Sequence, residues 1–169
     1  MGRSRYVITE PDSPHFLTFT VVEWLPVFTR PDAVRILLDS WLHQRTHESL
    51  QLYGYVVLEN HLHFIAQTPR LDHCVSSFKS YTAARLLELL KVHRVERILE
   101  RLRFAKKAHK KDRNDQFWQE GSHAELIVVN LSCVKSWIIF TINQLNVVMW
   151  IWQSIGVILV LEIIWGVMV

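Results

Sequence analysis

Two runs of β-forming residues, "LYGYVVL" (52–58) and "HLHFIAQ" (61–67), are separated only by the polar pair Glu59–Asn60. A join that short predicts a β-hairpin, since strands linked by a tight turn must pair antiparallel. The pleat then assigns faces. Residues i and i+2 of a strand project together, so His61 and His63 share one side while Leu62 and Phe64 take the other.

The flanking segments fit around this hairpin. "HFLTFTVV" (15–22) is rich in β-branched and aromatic residues and predicts a further strand. "RPDAVRILLDSWLHQRTHESL" (30–50) predicts a helix, because Pro31 suits a first turn and Val34, Leu37, Leu38, Trp41 and Leu42 recur at helical spacing. "SSFKSYTAARLLELLKVHRVERILERL" (76–102) predicts a long second helix. Ser76 or Ser77 would cap it, and Phe78, Leu86, Leu89, Leu90, Val92, Ile98, Leu99 and Leu102 would form its apolar side. "FAKKAHKKDRND" (104–115) reads as a basic linker, and "QFWQEGSHAELI" (116–127) as a last short strand. The order strand, helix, strand, strand, helix, strand predicts an α+β fold of ferredoxin-like (RRM-like) type. In that fold an antiparallel sheet carries its helices on one face. The 169 residues hold one such domain, with no internal repeat.

The chain changes character near residue 128. Beyond it stand one basic residue, Lys135, and one acid, Glu162, so the net charge of +3 belongs to residues 1–127. "VVMWIWQSIGVILVLEIIWGVMV" (147–169) has the length and hydropathy of a bilayer span. The N-terminal "MGRSRYVITEPDSPHF" has no apolar core and does not read as a secretory signal. Cys74 and Cys133 lack metal-type spacing and read as free thiols of a reducing compartment.

Three features bear on chemistry. Two imidazoles side by side are half of a divalent-metal site, although a bare His-x-His pair is more often structural. Tyr81, in "FKSYTAAR", is a candidate nucleophile. A phenol with a pKa of about 10 attacks usefully only when its electrophile is polarised, as a metal does to a phosphodiester. Alone, Tyr81 reads as a core aromatic with its hydroxyl at the rim. From Arg85 to Arg113 there are eleven Lys or Arg against four acids, and "KKAHKK" (106–111) suits phosphate contact.

Taken together, "HFLTFTVVEWLPVFT", "YGYVVLENHLHF", "FKSYTAARLL" and "FWQEGSHAELI" resemble the REP-associated tyrosine transposases, within the single-tyrosine HUH transposases of bacterial insertion sequences. The likeness runs over about residues 5–127, with the four motifs in family order and spacing. It implies a catalytic domain over 1–127 that cuts and rejoins single-stranded DNA near hairpins, in the bacterial cytoplasm at the nucleoid. His61 and His63 would hold Mg²⁺ or Mn²⁺, though two imidazoles would also accept Zn²⁺. Tyr81 would attack the phosphodiester, forming a 5′-phosphotyrosine link and releasing a 3′-OH. Lys79, Arg85, Lys106, Lys107, Lys110 and Lys111 would contact DNA. Members are dimers in one branch and can be monomers in the other, so a homodimer is an open expectation. One position departs from the pattern. Insertion-sequence relatives often place a metal-ligating Gln one turn after the tyrosine, where this chain has Arg85, which cannot ligate a cation. Glu59, Asn60 and Gln67 are the alternatives.

The tail also departs. The family continues with motifs like "LDYIHNNPVKRGYV" and "HWRYSSARNY", and neither occurs here. Both are permitted one frame away. "SWIIF" followed by Thr, written TCT TGG ATT ATA TTC AC, reads L-D-Y-I-H from its third base. "NQLNVVMW" and "IWQSIGVILVLEII" permit P-V-K-R-G-Y-V and D-L-A-E-H-W-R-Y-S-S-A-R-N-Y. The expectation is a change of frame near 127–129, which makes 128–169 an out-of-frame apolar tail and this copy a degenerate one. The alternatives are a single-span membrane protein and a non-catalytic nucleic-acid-binding module.

Overall fold

The computed structural model describes residues 10, 12–105, 116–121 and 123–127. The expected linker cluster Lys106, Lys107, Lys110 and Lys111 and the apolar stretch 147–169 lie outside them. No helix among the described residues is long and apolar enough to cross a membrane.

Four strands form one antiparallel sheet: β1 (His15–Thr20), β2 (Gln51–Val57), β3 (His61–Gln67) and β4 (His123–Leu126), in the order β2-β3-β1-β4. The hairpin supplies β2 and β3, and β1 lies against β3 with Thr18 opposite His63 and Leu17 opposite Phe64. A register shift between Leu52 and Gly54 leaves Tyr53 as an extra residue in β2. The α-helices among the described residues are α1 (Pro31–His47), α2 (Leu71–Val92) and α3 (Glu96–Phe104). The order and the single antiparallel sheet are those of the ferredoxin-like expectation.

One face of the sheet is closed. Leu17 and Phe19 of β1 and Leu62, Phe64 and Ala66 of β3 are buried together with Leu37 and Trp41 of α1 and Phe78, Leu86 and Leu90 of α2. The Trp41 and Phe78 rings stack with centroids 5.3 Å apart, and Phe64 lies 5.2 Å from Trp41. Each large side chain removed from water in this way contributes roughly 1.5–3 kcal/mol. Strand alternation explains the burial, since every second residue of β1 and β3 points to the helices.

The helix boundaries differ from the pattern reading. Neither Ser76 nor Ser77 is a cap. The second helix starts at Leu71, because Leu71 and Cys74 are themselves buried against the core and extend the apolar side by two turns. Nor does it run to Leu102. Arg94 takes a left-handed φ of 54°. Its N–H donates to the Lys91 carbonyl and that of Val95 to the Leu90 carbonyl, which is a Schellman ending. Α separate helix, α3, then turns Leu99 and Leu102 into the core. β1 likewise stops at Thr20, short of Val22. Val21 makes a single bridge to Trp118, and a 3₁₀ turn follows over Val22–Trp24.

Candidate functional site

The other face of the sheet is not covered by α1 or α2. His61, His63, Ile65 and Gln67 of β3 project there, flanked by Phe16, Thr18 and Thr20 of β1. The two imidazoles stand with ring centroids 4.9 Å apart and planes at 84°.

Each ring is held through Nδ1. Asn60 donates from its amide nitrogen to the Trp24 carbonyl at 3.3 Å, which fixes the amide so that Oδ1 meets His61. His61 Nδ1–H therefore donates to Oδ1, at 2.6 Å, and the ring lone pair lies on Nε2. Burial lowers the pKa of His61 below its ordinary value of 6.5, against a smaller opposing effect of the Glu59 charge. The ring is thus the neutral imidazole that metal ligation needs. Nδ1 of His63 lies 2.7 Å from the Thr18 hydroxyl, and the ring stacks on Phe16 at 5.3 Å. Outer partners of this kind set tautomer and ring direction in metal sites.

The donor chemistry fits a divalent cation at two positions. Among the described residues no group of three or more His, Cys, Asp and Glu could hold a metal. Mg²⁺ and Mn²⁺ tolerate such a partial protein shell because water and phosphate oxygens complete it. Of the three residues considered as a further ligand, Asn60 is engaged by His61 and Trp24. The Gln67 amide accepts from the Tyr53 hydroxyl at 2.5 Å and donates to the Asp12 carbonyl. Glu59 sits in the hairpin turn, where its backbone carbonyl accepts from Phe28 N–H at 2.8 Å.

The remaining predicted residues stand elsewhere. Tyr81 is on α2, half-exposed in the helix layer, so within one chain the sheet lies between it and the histidine face. Helix α2 packs by Phe78, Thr82 and Leu86 on the face that β3 turns away from His61 and His63, so Tyr81 is carried by the helix layer and the two histidines by the other side of the sheet. Lys79 Nζ donates to the carbonyls of Gln119 (3.1 Å) and Gly121 (2.6 Å) and lies over the Phe19 ring, tying α2 to the segment before β4. Arg85 pairs with Glu88 at 2.7 Å on the same helix.

Sequence reasoning passed over Thr18 and Trp24, and weighed Asn60 only as a ligand. The strand register that pairs Thr18 with His63 is the signal for the first, and it also sets His123 of β4 opposite Thr18 in the same cross-sheet row. Trp24 is 58% exposed, with its ring 5.5 Å from that of His61.

Neither a protein-family model nor a curated protein matches the sequence. Solved structures match in fold. A REP-associated tyrosine transposase bound to a REP hairpin aligns with a TM-score of 0.53 and 13% identity, covering 80% of this chain and 68% of that one. A candidate transposase from Deinococcus radiodurans aligns with a TM-score of 0.45 and 16% identity, covering 83% of this chain and 95% of that one. At such identities the likeness concerns architecture alone. The chain has the sheet-and-helix fold of which that REP-associated tyrosine transposase is one example.

Proposed function

We propose that this chain is a transposase-type, metal-dependent endonuclease domain of the REP-associated kind, acting on single-stranded DNA beside a hairpin. The observation that carries the reading is the pair of imidazoles on the sheet face that the described helices do not cover, each oriented through Nδ1 by Asn60 or Thr18. The fold likeness and the four motifs support it. His61 and His63 would hold Mg²⁺ or Mn²⁺, which when bound polarises the scissile phosphate. Asn60 and Thr18 keep the rings aimed, and the burial of His61 keeps it unprotonated at neutral pH.

The cleavage step balances as a transesterification. A tyrosine Oη–P bond forms at the 5′-phosphate, the P–O3′ bond breaks, the phenol loses its proton and the 3′ oxygen gains one. Tyr81 is the nucleophile named from sequence, yet its place in the helix layer favours a second reading, a non-catalytic single-strand-binding module. One assay separates them. Hairpin-bearing single-stranded DNA with Mg²⁺ or Mn²⁺ should yield a cleaved strand and a covalent protein–DNA adduct, and Tyr81→Phe should abolish both. Binding without cleavage by the parent chain points to the module. An adduct unchanged by Tyr81→Phe moves the nucleophile to another tyrosine.

Residues 128–169 are read as an out-of-frame product, so the coding DNA should run on to "HWRYSSARNY" in the other frame. A coding sequence without that motif restores the membrane-span reading. Cleavage by a frame-restored chain alone would place the defect of this copy in its tail.

A further inference from the structure

We infer that Trp24 is a base-stacking platform that seats one nucleobase of the single strand next to the His61 imidazole. The inference rests on the proposed action on single-stranded DNA. Trp24 is the most exposed tryptophan among the described residues, at 58%, whereas Trp41 and Trp118 are 1% and 6% exposed. Unlike the more exposed Phe104, the Trp24 ring projects beside a polar site, with its centroid 5.5 Å from that of His61.

Its backbone is unusual. Glu23 and Trp24 have φ of 54° and 55°, in the left-handed region that non-glycine residues seldom occupy, least of all two in succession. Such strain persists only where neighbours impose it, and it gathers at functional positions. Here four contacts impose it. Arg101 of α3 grips the Glu23 carboxylate at 2.9 Å. Asn60 donates to the Trp24 carbonyl, Val22 N–H donates to the Phe117 carbonyl at 2.8 Å, and Val21 N–H donates to the Asn60 carbonyl at 2.9 Å. The turn thus fixes the indole against His61, with ring planes at 71°.

Asn60 is common to both halves. One end of its amide orients His61 and the other anchors the Trp24 backbone, so imidazole and indole are placed by a single side chain. A phosphate at the histidines and a base on the indole are adjacent parts of one nucleotide unit. Stacking needs no particular base, since every base offers a π face. A duplex, whose bases are already stacked, would gain nothing from it, so the platform selects an unpaired nucleotide.

The test uses the full chain and a hairpin oligonucleotide with single-stranded flanks, carrying 2-aminopurine at one flank position at a time. The parent should quench the fluorescence at one or two adjacent positions. Trp24→Ala should remove that quenching and weaken binding roughly tenfold, and Trp24→Phe should retain part of both. An abasic nucleotide at the quenched position should weaken the parent but not Trp24→Ala, a coupling that a merely structural role would not produce. Circular dichroism confirms that the exposed substitution leaves the fold intact. Equal binding and unchanged quenching by Trp24→Ala would overturn the platform while leaving the proposed function standing. A parent chain that binds no single-stranded DNA would overturn the proposed function first, and the platform with it.

Discussion

The two faces of the sheet share the same strands and differ in almost everything else. On the helix side, Phe19, Leu62, Phe64 and Phe78 meet ring to ring and methyl to ring, and the surface is finished. On the open side, the same strands present His61, His63, Thr18 and Gln67, partly exposed and joined by hydrogen bonds that aim side chains rather than fill space. The first face uses β3 as scaffold, and the second uses it as a bench for polar groups. One residue step along the strand moves a side chain from one role to the other.

The largest way to test this contrast is Phe78→Ala, which should cost about 3–5 kcal/mol of stability in urea unfolding by opening a cavity among Trp41, Phe64 and Phe19. A loss below about 1 kcal/mol would deny that the helix side is the core. His63→Ala should invert the pattern. DNA cleavage with Mn²⁺ should fall by more than about 100-fold, beyond what outer-shell changes cost, with the unfolding midpoint nearly unmoved. Equal cleavage by His63→Ala would remove the open face from the chemistry. Thr18→Val keeps volume and removes the hydroxyl, so Mn²⁺ affinity measured by calorimetry should weaken roughly tenfold.

The smallest effect concerns the join of the helices. The buried Cys74 thiol is pushed up to about 12, by burial first and by the Glu48 carboxylate second, so it stays protonated and donates to Glu48 at 3.1 Å. That bond, with His73 in support, lowers the pKa of Glu48 below its ordinary 4.5. A carboxylate depressed in the folded state adds stability above its unfolded pKa and loses it as pH falls through the folded one. The unfolding free energy should therefore fall between about pH 5 and pH 3 in the parent, by less than about 1 kcal/mol from Glu48, and Glu48→Gln should reduce that slope to the part left by groups such as the similarly depressed Asp32. An unchanged slope would mean that Glu48 is not its source.

The hairpin, the strand order and the shared face of the histidines were legible because alternation and a two-residue join are local signals. The breaks were not. Arg94 ends α2 in a conformation that glycine usually marks, and Glu23 and Trp24 turn the chain in the same region without glycine or asparagine to announce it. The start of α2 at Leu71 depends on burial of Leu71 and Cys74, the latter beside Gln44 and Glu48 at the end of α1, which no local window contains. The site was half legible. His61 and His63 follow from the pleat, but Thr18 joins them only through the β1–β3 register across 45 residues of sequence. Tyr81 is named only through its likeness to a family motif, and its place in the helix layer follows from the packing of α2, which no local window contains.

The position of β4 has a consequence for the gene. Its last residue, Leu126, pairs with His15 at the outer edge of the sheet, so all four strands found among the described residues are written before codon 127. A change of frame at that point would rewrite everything downstream without altering one buried residue of the sheet. A lesion there would leave the residues of this sheet as they are.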